Sequence, residues 1–198
     1  MSVAPRYSSL ISKSNETKSQ IKGAGKMNTK DTLRTFEEVA GYYIAELDNY
    51  SPEKFRSKPS EEEWSLSQLY NHLIMAAFHM QIKAIEDCEL GRCSVLDGEK
   101  TEVGAAVFAA GAFPPIQIRV PAKPGYTPDY STDKQEIKER MLQVIEEMRS
   151  VEQRLASIPP DRKIEHPAFG CLNAVEWFQL VPMHFAHHLC QKEKLEAL

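Results

Sequence analysis

The chain has 198 residues, 42% of them hydrophobic and 26% charged, and a formal net charge of −4. That length buries one sizeable core rather than two, and the apolar share is that of an ordinary globular domain. The acidic balance offers no basic face to nucleic acid or an anionic membrane, and no run of about eighteen apolar residues is present to span a bilayer.

Residues 1–26 are rich in Ser and Lys, hold a single acidic residue and lack helical periodicity. They read as a flexible N-terminal extension without chemistry, preceding one domain over 27–198. From Lys30 the pattern is helical: Leu33, Phe36, Val39/Ala40, Tyr43/Ile44 and Leu47 recur at intervals of three and four. Ser51 followed by Pro52 signals a short separate turn. A second helix opens at "WSLSQLYNHL", where Ser65 and Gln68 form a capping-box pattern. Thr132 with Gln135 suggests the same device for a third helix, ending at "IPPD", and Asn173 with Glu176 for a fourth. The only strand candidate is a short "PIQIRV" at 115–120.

About forty residues separate helices two and three and hold five of the twelve prolines and five of the nine glycines. A connection of that length suits a crossover along a bundle, which lets two helices run parallel. The expected fold is therefore all-α, a four-helix bundle with up-down-down-up topology. The apolar stretch "GAAVFAAGAFPPIQIRV" in the crossover is expected to pack on the bundle, with 104–120 near the mouth of any site. Pro182, inside helix four, removes a backbone donor and predicts a kink or break.

The chemistry concentrates in "HFAHH", residues 184–188, which holds three of the six histidines. Trp177, Val181, His184, His188, Gln191 and Leu195 follow a heptad-like seam that should face the core. His184 and His188 then lie one turn apart, a spacing that lets two imidazoles reach one ion. His187 falls at the edge of that face. On helix two, His72 lies in line with Leu69, Ala76 and His79, and small Ala76 leaves room for a cluster. His72, His184 and His188 make a three-histidine site. His79 and His166 read as surface or supporting residues, Cys88 and Cys190 as space-filling, and Trp64 and Trp177 as core. The four cysteines (Cys88, Cys93, Cys171, Cys190) show no CxxC pair, and without a signal peptide they read as reduced thiols of a cytoplasmic protein.

Two stretches carry a family resemblance. "KPSEEEWSLSQLYNHL" resembles the opening of helix two in the DinB/YfiT-like superfamily, and "HPAFGCLNAVEWFQLVPMHFAHHLCQ" resembles its C-terminal signature, a short turn, a helix, then HxxxH followed by Gln. The resemblance runs from about Lys30 to the end. It implies a four-helix bundle with a divalent metal on His72, His184 and His188, the set that the seams select on their own. It also implies a homodimer, and activities of metal-dependent hydrolysis or transfer of a low-molecular-weight thiol onto electrophiles. Where the family often has Arg-Gly-Gln after the last ligand, this chain has Leu189, Cys190 and Gln191, losing the cation but keeping the glutamine.

Three neutral histidines without a fourth protein ligand leave a position for water or a thiolate, as in catalytic zinc. Zinc is the first expectation; imidazole also suits nickel and iron. Gln191 and His187 are the expected supporting residues. No general base is evident: Glu176 lies two turns from His184 on another line. The expected function is a metal-dependent enzyme, a hydrolase or thiol S-transferase, acting on a small molecule. The alternative is a non-catalytic, stress-related bundle that binds a metal or ligand.

Overall fold

The computed structural model describes residues 28–61, 63–92, 95–114 and 131–197. The N-terminal extension and the strand candidate at 115–120 lie outside the described residues. The fold is mostly helical, with a small three-stranded sheet. No helix of the described residues is long and apolar enough to cross a membrane.

Helix α1, Thr29–Leu47, starts where the Asn28 side chain accepts from Lys30 N–H, and it buries Phe36, Val39, Ala40, Tyr43 and Leu47 on the predicted stripe. Ser51 caps the short α2, Pro52–Arg56, which buries Phe55. Helix α3, Leu66–Ala76, opens with the reciprocal Ser65–Gln68 box. It continues through a π-helical segment, Ala77–Ile82, into α4, Lys83–Glu89. Sequence periodicity treats this stretch as one regular helix; the π turn shifts the buried face beyond it.

The crossover contains structure that the sequence reading leaves out. Strand β1, Val95–Leu96, precedes α5, Glu102–Ala110, which Thr101 caps and Gly111 ends at φ 64°. Helix α6, Lys134–Leu155, is capped by Asp133, whose carboxylate accepts from Gln135 and Glu136 N–H. The expected cap was Thr132 paired with Gln135; the carboxylate one residue on takes the place instead, and its charge also suits a helix N-terminus.

After α6 come β2, Arg162–His166, and β3, Gly170–Asn173, in an antiparallel sheet ordered β1-β2-β3. The mostly helical fold agrees with the expected helical class, and the small sheet is an addition to it. Its strands are short and half-buried, so they carry little hydrophobic alternation, and their pairing joins distant segments. Gly170, at φ 76°, sits so close to the crossover that a Cβ there would lie 2.6 Å from the Glu99 carbonyl oxygen.

Helix α7, Ala174–His187, begins with the Asn173–Glu176 box. It runs unbroken through Pro182, against expectation, with Trp177, Phe178, Val181 and Phe185 buried around the proline. The interruption falls at His188 (φ −79°, ψ −4°), after which α8, Leu189–Glu196, resumes.

Side-chain pairings give the relative directions. Thr29 bonds to Glu152, Arg149 to Glu37 and Lys138 to Asp48, so α1 and α6 are antiparallel. Arg140 reaches Asn71 and Met75, and Arg154 pairs with Glu89, so α6 runs along α3 and α4 in the same sense. Tyr43 donates to the Phe185 carbonyl and Tyr50 to Glu196, so α1 and α7–α8 run together. α3 packs on α8 and α4 on α7, which makes these two stretches antiparallel. They share one core, with Tyr43, Tyr70, Phe36 and Phe185 meeting edge to face.

Candidate metal centre

His72 lies two turns into α3, a position set by the Ser65 cap. His184 lies in the last turn of α7, and His188 is the junction residue to α8. Because α3 and α7–α8 are antiparallel, the three rings meet near the start of one helix and the end of the other. The Nε2 of His184 is 3.2 Å from that of His72 and 3.1 Å from that of His188. Each ring thus offers one nitrogen within 4.8 Å of the others, and among the described residues these three form a group able to hold a metal ion.

Burial decides their protonation. It holds the His184 pKa well below the ordinary value, with the charges of His188 and His72 adding to the effect. Burial likewise brings His72 to about 3, helped by the His188 charge. His188 is lowered to about 4, the loss of hydration outweighing its bond to Gln191. All three rings are therefore neutral at pH 7, the form that ligates metal.

Hydrogen bonding sorts the nitrogens. Gln191 Oε1 lies 2.9 Å from His188 Nδ1 and accepts a hydrogen bond from its N–H, leaving the His188 Nε2 lone pair aimed at the cluster. His184 Nε2 can donate to only one of its two neighbours, so neutral rings alone leave a lone pair opposed to another. A cation among the Nε2 atoms removes that conflict, and the donor set fits a divalent ion. The Nδ1 atoms of His72 and His184 are buried without a hydrogen-bond partner among the described residues, where only the His188 ring has its outer nitrogen satisfied.

The other candidates separate cleanly. His187 is half-buried, with its ring 5.4 Å from that of His188, and stands outside the cluster. His79 is exposed. Cys88 is buried as expected, whereas Cys190 is exposed and fills no space. Glu176 is committed to its capping box and an ion pair with Lys100. Trp177 is core, but Trp64 is half-buried and lies against the His72 ring at 4.7 Å and near the His188 ring at 6.4 Å. Phe113, in the crossover after α5, comes to 6.3 Å from His184 and 5.3 Å from His187. That places Phe113, of the expected 104–120 segment, beside the histidines; residues 115–120 lie outside the described residues. Phe113 lies in the stretch expected near the site, whereas Trp64, expected as core, stands just before the Ser65 cap and borders the cluster.

Two surface hollows, one of 220 Å³ beside Glu53, Lys54, Ser57 and Leu195 and one of 390 Å³ beside Asp48, Pro52 and Lys138, contain no histidine. The chemistry lies elsewhere, in the packed ring cluster.

A family model described as the DinB superfamily matches residues 35–191, a span that includes His72, His184, His188 and Gln191. A search among curated proteins finds no match. The match covers most of the chain and the whole three-histidine cluster: the chain belongs to the DinB superfamily.

Proposed function

We propose that the protein is a metal-dependent enzyme of the DinB superfamily, acting on a small molecule by hydrolysis or by transfer of a low-molecular-weight thiol. In this reading residues 27–198 form a four-helix bundle with up-down-down-up topology, a reading that the pairwise helix directions support. His72, His184 and His188 hold one divalent ion, zinc first, with nickel or iron as substitutes. The observation that carries the proposal is the convergence of three neutral Nε2 atoms, with the His188 tautomer set by Gln191.

A divalent ion so held supplies Lewis acidity toward a water or a thiol. The protein's own part is to keep the rings neutral by burial, to orient His188 through Gln191, and to limit solvent with Trp64 and Phe113. In this reading His187, beside His188 and Phe113, is a supporting residue rather than a ligand of the ion. A cytoplasmic homodimer without nucleic-acid or membrane partners completes the reading.

A second reading, a non-catalytic metal- or ligand-binding bundle, is favoured by the close packing of Trp64 and Phe113 on the histidine rings. Elemental analysis of protein purified without added metal, followed by a thiol-transfer assay, tests both. The enzyme reading expects about one equivalent of metal and turnover that a chelator abolishes. Bound metal without turnover of any thiol or hydrolysable ester supports the second; no metal at any concentration defeats both.

A further inference from the structure

His166, at the end of β2, accepts at Nδ1 from the backbone N–H groups of Ala168 (3.1 Å) and Phe169 (3.2 Å). A ring nitrogen that accepts carries no proton, so the proton resides on Nε2. That N–H has no hydrogen-bond partner among the described residues. The ring cannot turn to find one: it is stacked on Phe169 at 4.3 Å and 10°, with Trp177 at 5.2 Å. Burial keeps the pKa near 4, so the group is a neutral donor at pH 7. Holding the turn needs only an acceptor where Nδ1 stands, which Asn supplies equally well. The second nitrogen is surplus to that task.

The hairpin bearing His166 is clamped to the crossover. Thr101 donates through N–H to the Phe169 carbonyl and through Oγ1 to that of Ala168. Gly104 approaches so closely that a Cβ would lie 2.2 Å from the Phe169 carbonyl oxygen. The same crossover delivers Phe113, 5.4 Å from Phe169 and 6.3 Å from His184. His166 is near enough that its charge, when protonated in acid, acts on His184. A run of rings thus leads from the His166 donor to the three-histidine cluster.

We infer that His166, Phe169 and Phe113 form a subsite beside the cluster for a planar, conjugated group that carries a hydrogen-bond acceptor. The inference rests on the metal reading above, because the ion anchors the other end of the ligand. The half-buried Phe113 ring recognises the planar body, with the buried Phe169 ring backing it, and the His166 Nε2–H recognises the acceptor.

The test uses the full chain loaded with cobalt(II), titrated by its visible spectrum with three hydroxamates: acetohydroxamate, benzohydroxamate and 4-carboxybenzohydroxamate. The first offers the metal-binding head alone, the second adds a ring, and the third adds an acceptor. We expect about five- to tenfold tighter binding on adding the ring and about fivefold more on adding the carboxylate. Phe113→Ala should remove the first gain and His166→Asn the second, both with acetohydroxamate affinity and cobalt stoichiometry at the wild-type level. Equal affinity of the wild type for all three probes overturns the subsite while leaving the metal reading intact, as do gains that survive both substitutions. Failure of the wild type to bind cobalt overturns the metal reading and the subsite with it. Should His166→Asn not fold, the wild-type series and Phe113→Ala decide the question.

Discussion

His188 and Lys192 stand one turn apart near the C-terminus, and both place a titratable group among core side chains. Lys192 has no exposed surface, yet its ammonium is fully answered: it pairs with Glu196 at 2.5 Å, reaches the Tyr42 hydroxyl at 3.3 Å and lies 4.4 Å from the centre of the Tyr42 ring. Tyr50 donates to the same carboxylate. Burial, with the Glu196 charge, raises the Tyr42 pKa to about 12, so its hydroxyl keeps its proton. The histidine cluster is the opposite case. Its Nε2 atoms face one another, and two Nδ1 atoms lack partners among the described residues. A buried polar group satisfied by its own chain is architecture, whereas one whose groups oppose each other points to something the chain must bind.

The largest effect expected from breaking this contrast is His188→Ala. It removes a ligand, and metal stoichiometry by elemental analysis should fall from about one equivalent to near zero at micromolar metal. Full retention would mean that the ion, if bound, sits elsewhere. Lys192→Ala should act on the fold instead, leaving Glu196 and two tyrosines without their cation. Urea unfolding of the chelator-treated protein should show a loss of about 2–4 kcal/mol, less than for a fully buried pair because the Glu196 carboxylate remains partly exposed. Metal stoichiometry should stay at the wild-type level.

Gln191→Leu sharpens the comparison from within the cluster. It frees the His188 ring to change tautomer and should weaken metal binding about 10–100-fold with little change in thermal midpoint. An unchanged affinity would deny Gln191 its role.

The metal-free protein should also show an acid signature. His72, His184 and His188 have folded pKa values below the unfolded value of about 6.5, so the unfolded state binds more protons as pH falls. Stability is complete above pH 6.5 and declines toward pH 4, by at most about 1.4 kcal/mol per pH unit for each ring. Urea midpoints at pH 7 and 5.5 should diverge less in His72→Gln than in the wild type, while Lys192→Ala keeps the wild-type divergence. The smallest effect belongs to His187→Ala, whose metal content should match the wild type; loss of metal in that variant would make His187 a ligand.

What the sequence determined by itself was local or periodic. The apolar stripe of α1, the caps at Ser51, Ser65 and Asn173, and the seam carrying His184 and His188 depend on residues within a turn or two of each other. The antiparallel meeting of α3 with α7–α8 then brings His72 to the other two, which the inward seams already implied. Tertiary structure alone decided the rest. The hairpin at 162–173 forms because β1 and the crossover pack on it, an arrangement that its few half-buried residues do not announce. Pro182 is tolerated because buried aromatics hold the helix on both sides of it. Trp64, Phe113 and His166 acquire their places beside the cluster through contacts spanning dozens of residues. Periodicity records which side of a helix turns inward, but which side chains meet there is settled only when distant segments are packed against one another.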